Sequence, residues 1–263
     1  MIEAERISCL ERKLEQAQSQ LTDLQLTVAA LNRHWAKPAE PQDVHFLDVA
    51  LHLQLGVRYA MGCAVPGDIA EFGTMAGRTA AVIAAAMPQY DRFCPSNRQS
   101  LHLFDSFQGL PAASSEVDRA SPHVQAGVWG AGTCLGISEE QLREICSRHL
   151  APERIRTYSG WFAETLPKVP TGTRFAMLHI DCDLYQSTKD VLDYCFSQGL
   201  VTPGAAVFFD DWNCNTARPD LGERRAWMEA VADFKIMASD CGEYGMGCHK
   251  FIVHSYLSRA GSL

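Results

Sequence analysis

The first regular pattern of apolar and polar positions runs over residues 3–33. Ile7, Leu10, Leu14, Ala17, Leu21, Leu24, Val28 and Leu31 alternate spacings of three and four, while Glu11, Arg12, Lys13, Glu15, Gln18 and Gln20 fill the positions between. That is the a/d seam of a coiled coil, and it predicts a helix that pairs with a second copy, giving at least a dimer. The plainer alternative is one amphipathic helix lying on its own domain. Pro38 and Pro41 end the pattern, and residues 37–42 read as a linker. The chain therefore divides into a heptad helix over 1–36 and a larger domain over 43–263. That domain opens with a helix over 43–60, whose apolar stripe is Val44, Leu47, Leu51, Leu55 and Tyr59.

Beyond this helix the pattern shortens and begins to alternate. Ile69 and Ala70 form a strand stub ended by Glu71, Gly73 and Gly77 flank a turn, and residues 79–87 form a helix. After a polar break over 88–100, Leu101 to Phe104 is a short buried strand closed by Asp105. Residues 112–137 are weakly patterned and predict a long, partly mobile active-site loop. Ser138 and Gln141 make a capping box for a helix over 138–150, and residues 154–158 give the next strand. Residues 175–180 are apolar except for His179 and end in Asp181-Cys182-Asp183. A helix over 184–197 follows, with turns at Gly199 and at Pro203-Gly204. A strand over 205–209 is then closed by Asp210-Asp211. A helix over 221–234 and two antiparallel strands, 235–238 and 251–254, complete the chain, with Gly242, Gly245 and Gly247 in the turn between them. Strands alternating with helices predict an α/β fold on a largely parallel sheet, with all the strand-end acids at one edge.

Composition narrows the function. The chain has 263 residues, is 47% hydrophobic and carries a formal charge of -8. An acidic chain without a basic tract argues against a nucleic-acid partner. No apolar run reaches the length of a membrane span. The 10 cysteines include no C-x-x-C pair and the first residues are charged rather than leader-like, so a cytoplasmic protein with reduced thiols is expected.

The chemistry-bearing residues cluster at the strand ends. The glycine turn after Glu71 suits close approach of a cofactor to the backbone and to a helix start. Its spacing is not G-x-G-x-x-G, and no Gly-Lys-Ser/Thr phosphate loop occurs. An acid at the strand end favours a cationic ligand part, as in S-adenosylmethionine (SAM). Asp105 is placed to hold an adenosine ribose; Phe107 either stacks on adenine or plugs the core. Asp181, Asp183, Asp210 and Asp211 would repel one another without a cation, and oxygen donors suit Mg²⁺, with Ca²⁺ or Mn²⁺ as alternatives. Asp183 could instead cap the following helix. Zn²⁺ is not expected, because no histidine or cysteine has ligand spacing. A cation beside SAM points to methyl transfer onto a hydroxyl, with Asp183, Asp181 or His179 taking the proton. Asp183, just past the strand, is preferred, and His179 reads as a core residue. A metal-dependent hydrolase leaves Glu71 and Asp105 without a role, and a dimeric scaffold does not account for four convergent acids. A catechol-like acceptor is an alternative within the methyl-transfer reading.

The stretches AEFGTMAGRTA, LFDSFQGLP, SGWFAETLP, HIDCDLYQSTKDVL and LVTPGAAVFFDDW, in this order from Ala70 to Trp212, give the chain a family resemblance. It resembles the TylF/MycF family, the macrocin O-methyltransferase type. The resemblance implies a class I SAM-dependent methyltransferase fold, Rossmann-like, and Mg²⁺-dependent methylation of a sugar hydroxyl on a glycosylated small molecule, as in antibiotic biosynthesis. It implies Glu71, Gly73 and Thr74 in the first cofactor motif, Asp105 and Ser106 on the ribose side, and Trp161 near the cofactor. Asp181 or Asp183, with Asp210 and Asp211, would lie near the metal.

Overall fold

A computed structural model describes residues 41–94 and 99–259. The heptad helix expected over 1–36, and the pairing it predicts, lie outside these described residues. The chain divides at Val44/His45 into two units, and the sheet and site lie in the second, His45–Leu263.

Helix α1 spans Pro41–Gly62, so the linker expected over 37–42 gives way to helix at Pro41. A proline at the first helical position loses no bond, because that N–H has no partner within the helix. The apolar stripe expected on α1 faces outward: Leu47, Leu51 and Leu55 are 38%, 53% and 44% exposed. Val49, Leu53, Val57, Ala60 and Met61 are buried instead. Both stripes have helical spacing, so periodicity alone does not choose between them. Gly56 shows how closely the second face sits on the sheet, since a Cβ there would lie 2.7 Å from the Phe208 ring.

The remaining elements are β1 (Asp68–Phe72), α2 (Arg78–Tyr90), β2 (Leu101–Asp105), α3 (Glu116–Arg119), α4 (Pro122–Gln125), α5 (Glu139–Ser147), β3 (Ile155–Ser159), α6 (Phe162–Thr165), β4 (Phe175–Ile180), α7 (Tyr185–Ser197), β5 (Val201–Phe209), α8 (Gly222–Phe234), β6 (Met237–Tyr244) and β7 (Cys248–Ser255). Several bounds differ from expectation. Helix α2 continues through Pro88, which sits in its last turn, instead of breaking there. Strand β5 begins at Val201, and its pairing with β4 shifts register across Pro203-Gly204. The terminal hairpin is longer than expected, and Gly242 lies inside β6 at a register irregularity, not in the turn. The predicted long loop contains α3 and α4, capped by Ser115 and Ser121. The capping box of Ser138 and Gln141 on α5 is present as read.

The sheet order is β3-β2-β1-β4-β5-β7-β6, parallel from β3 to β5, with β7 antiparallel to both neighbours. Two apolar layers cover it. One includes Val49, Leu53, Ile83, Met87 and Leu142 from α1, α2 and α5, and the other Val191, Phe196, Trp227 and Phe234 from α7 and α8. Each such side chain contributes about 1.5–3 kcal/mol through burial. The chain order reverses between β1 and β4, which opens a crevice at their carboxyl ends.

Candidate active site

Four of the five parallel strands deliver their next residues to one edge by continuing the ladder beyond the last paired position. Gly73 N donates to Phe104 O, Asp181 N to Phe72 O, Asp210 N to Ile180 O, and Gly160 N to Asp105 O, at 2.9–3.0 Å. The site residues are thus held by the same bonds that hold the sheet. Gly73, at φ 89°, fits the crossing of the β1 and β4 ends, where a Cβ would lie 1.9 Å from Asp181 O. Only glycine permits that approach, and it sets the cofactor loop directly against the acid-bearing loop.

A cleft of about 280 Å³ opens here. Gly73, Thr74, Asp105, Ser106 and Trp161 are on its wall, as are Asp181 and Asp183. Asp105 organises the wall. Its Oδ2 accepts from Thr74 N (2.8 Å), Thr74 Oγ1 (2.9 Å) and Met75 N (3.2 Å), and its Oδ1 accepts from Phe107 N (2.7 Å). The carboxylate thus ties the β1 loop to the β2 loop and keeps one acceptor position on Oδ1 for a ligand hydroxyl. Ser106 Oγ donates to Gly109 O at 2.8 Å and shapes the next turn. Trp161 precedes α6, and Thr165 Oγ1 donates to its carbonyl. Phe107 packs against the core on the α1 side and is not on the cleft wall.

Glu71 departs from the expected cofactor role. It is fully buried, off the cleft wall, and its Oε1 lies 2.9 Å from His179 Nδ1. Strand alternation explains this: Ala70 and Phe72 join one apolar layer, while Ile69 joins the opposite one and Glu71 shares its face. His179 is fully buried, as a core histidine would be, but both its nitrogens face acids, with Nε2 3.8 Å from Asp210 Oδ1.

The four acids act on one another's charge at the carboxyl edge. Oxygen atoms of Asp181, Asp183 and Asp211 lie within 4.8 Å of one another. Asp210, expected beside Asp181 and Asp211 as a ligand, is close enough for its charge to act on both, and donor atoms of His45 and Cys248 also lie within 4.8 Å of its carboxylate. Burial and the surrounding carboxylates hold the Asp181 and Asp183 carboxyls well above the usual range, and the same causes raise Asp211 to about 7. Asp211 Oδ2 is buried without a partner. An orphaned oxygen among mutually repelling acids fits a hard cation. Asp183, at φ 58°, does not cap α7. That helix start is satisfied from a distance by Asp118, which accepts from Tyr185 N (2.8 Å) and Gln186 N (3.3 Å).

Two site residues escaped the sequence reading. Asp118 lay in the weakly patterned stretch. Glu223 is fully buried in the first turn of α8, where its two oxygens accept from Cys182 N (3.3 Å) and Asp211 N (3.0 Å). It clamps both acid-bearing loops. Nothing in its charged surroundings, Gly222 to Arg225, distinguishes it from a solvent-facing glutamate.

A sheet of this order, with a glycine loop after β1 and an aspartate closing β2, is the class I SAM-dependent methyltransferase fold. The O-methyltransferase NovP shares it at 26% identity and a TM-score of 0.63, over 78% of this chain and 79% of that one. A calicheamicin methyltransferase does so at 26% identity and a TM-score of 0.58, over 72% and 73%. The chain belongs to the macrocin-O-methyltransferase (TylF) family, whose sequence model matches residues 50–237. Among its relatives is the 8-demethyl-8-(2,3-dimethoxy-alpha-L-rhamnosyl)-tetracenomycin-C 4'-O-methyltransferase of Streptomyces olivaceus, 32% identical over 179 residues, which are 66% of this chain and 64% of that protein. The demethyldecarbamoylnovobiocin O-methyltransferase of Streptomyces niveus is 30% identical over 190 residues, 72% of this chain and 69% of that protein. Among the described residues no helix is long and apolar enough to cross a membrane.

Proposed function

We propose that the chain transfers the methyl group of SAM to a sugar hydroxyl of a glycosylated small molecule, with a hard divalent cation such as Mg²⁺ at the acid edge. The observation that carries this reading is the convergence of Asp181, Asp183 and Asp211 beside the glycine-loop cleft that Asp105 organises. The rhamnosyl 4'-O-methyltransferase among the relatives supports a sugar acceptor. The heptad over residues 3–33 supports pairing of copies, with 43–263 as the catalytic part.

Asp181 and Asp211 would hold the cation, which when bound holds the acceptor's oxygens and favours the developing alkoxide. Thr74 and Asp105 fix the loop against which SAM lies, and the open position on Asp105 Oδ1 suits a ribose hydroxyl. Trp161 shields the cleft from water. Asp183 takes the proton of the attacking hydroxyl. The oxygen–methyl bond forms as the sulfur–methyl bond breaks, leaving S-adenosylhomocysteine, a protonated carboxyl and the methyl ether.

Asp183→Asn keeps the size and removes the base. It should lower the initial rate by about 10²–10⁴-fold, with SAM affinity by calorimetry unchanged. A mutant as fast as the wild type removes Asp183 from the role of base. Full activity of the wild type after exhaustive chelation rejects the cation, and no SAM binding rejects the cofactor.

A further inference from the structure

Strands β4 and β5 stop pairing where their acids begin. The last backbone rung between them is Asp210 N donating to Ile180 O at 2.9 Å. The next donors, Cys182 N and Asp211 N, turn to a single side chain instead. Glu223 Oε1 accepts from Cys182 N (3.3 Å), and Oε2 accepts from Asp211 N (3.0 Å). One carboxylate thus stands in for the next rung, between Asp211 and the residue that follows Asp181. With both oxygens used in this way, Glu223 has the bonding pattern of an ionised carboxylate. It is not on the cleft wall.

The core gives no reason for an acid here. Glu223 is fully buried. Burial and the charges of Asp211 and Asp181 hold its carboxyl well above the usual range. A buried charge without a cation is costly, and one more acid beside the others adds repulsion. The two arginines next to it in the chain turn elsewhere. Arg224 Nη1 donates to Ala217 O at 2.8 Å, and Arg225 Nε lies 2.8 Å from Glu229 Oε1. The position is nonetheless held firmly. Leu221, Ala226 and Trp227 bury the start of α8 on both sides of it. Gly222, at φ 55°, lets that start close on Asn215, whose Nδ2 would lie 2.8 Å from a Cβ there. The acid is therefore explained by the two loops it holds, not by the core around it.

We propose that Glu223 is a positioning residue for the divalent cation. It fixes the separation of Asp181 and Asp211 through their backbone, and its charge adds to theirs in attracting the ion. This role rests on the cation of the function proposed above. Groups that hydrogen-bond to metal-bearing residues orient the ligands, and their loss typically costs about 10–100-fold in metal affinity. Glu223 does so without touching the reacting atoms, so its effect belongs to the affinity of the ion more than to the transfer step.

The test uses the full chain stripped of metals, with Mn²⁺ as the probe and its binding read from loss of the free-ion EPR signal. Glu223→Gln keeps the shape, but its amide group offers one acceptor and turns an NH₂ toward the other backbone N–H. It should weaken Mn²⁺ binding by about 10–100-fold, with SAM affinity by calorimetry unchanged. The Mg²⁺ concentration for half-maximal rate should rise by the same factor, more than kcat falls. Wild-type Mn²⁺ affinity in the folded mutant overturns the proposal. So does a parallel fall in SAM affinity, which would show the whole carboxyl edge loosened. Should Glu223→Gln fail to fold by circular dichroism, Glu223→Asp decides. Its shorter side chain keeps the charge but cannot span both loops, and unchanged Mn²⁺ affinity there overturns the role. A wild type that binds no Mn²⁺ rejects the cation itself and this role with it, whereas binding that Glu223→Gln leaves intact rejects the role alone.

Discussion

Asp105 shows how one side chain can act on a ligand mainly through the backbone. Four hydrogen bonds converge on its carboxylate, three from the loop after β1. A charged acceptor makes each worth about 1.5–3 kcal/mol, and removing it leaves the N–H groups of Thr74, Met75 and Phe107 unpaired. Asp105→Ala should therefore lower both SAM affinity and unfolding stability, the latter by about 2 kcal/mol or more. Denaturant midpoints and calorimetry on the same protein check this, and a loss of affinity with stability intact would mean that Asp105 acts only on the ribose. The sequence made Asp105 conspicuous because it closes an apolar strand. It did not reveal the bonds to Thr74 and Met75, which depend on how the β1 and β2 loops meet. Glu71 was equally conspicuous, yet strand alternation turns it away from the cleft toward His179.

Elements were legible where their own residues decide them. Strand β4 has the predicted bounds, because six consecutive buried positions admit no other reading, and α5 begins where its capping box says. Helix α1 was placed well but rotated, since the choice between two apolar stripes belongs to the sheet beneath it. Helix α7 illustrates a cap that no local motif encodes. Its start is held by Asp118, 67 residues earlier in the chain. Ser115 Oγ also donates to Asp118, so the cap fastens the segment containing α3 and α4 over the cleft. Asp118→Ala should cost about 1 kcal/mol, as loss of an N-cap does. It should also raise amide exchange in the first turn of α7 and in residues 115–125 together. Exchange that rises in only one of them would show that Asp118 does not join them.

The whole molecule carries the charge of its site into its stability. Asp211 titrates at about 7 in the fold against 3.8 for an ordinary aspartate, and Asp181 and Asp183 are also raised well above 3.8. Between those values the folded chain keeps protons that the unfolded chain has released, so stability falls as pH rises through that window and is lowest above it. Asp210, held low beside His179, contributes in the opposite direction. In chelator, Tm should decline between about pH 5 and 8. Added Mg²⁺ should recover more at the upper pH than at the lower, and an equal gain at both would place the ion away from these carboxylates. The parallel sheet, its carboxyl edge and the acids there could all be read from the alternation of short apolar runs with helices. Their individual neighbours could not. His45 and Cys248 are 203 positions apart, and only folding brings both of them beside Asp210.

Asp183 combines a left-handed backbone with a place among like charges. Glycine would relieve the backbone and asparagine the repulsion. A search for heat-resistant variants that ignored turnover would therefore drift toward either replacement. If Asp183 is the base proposed above, the position would be counted as an improvement at the point where catalysis was lost, and selection for durability and selection for chemistry would pull this one residue in opposite directions.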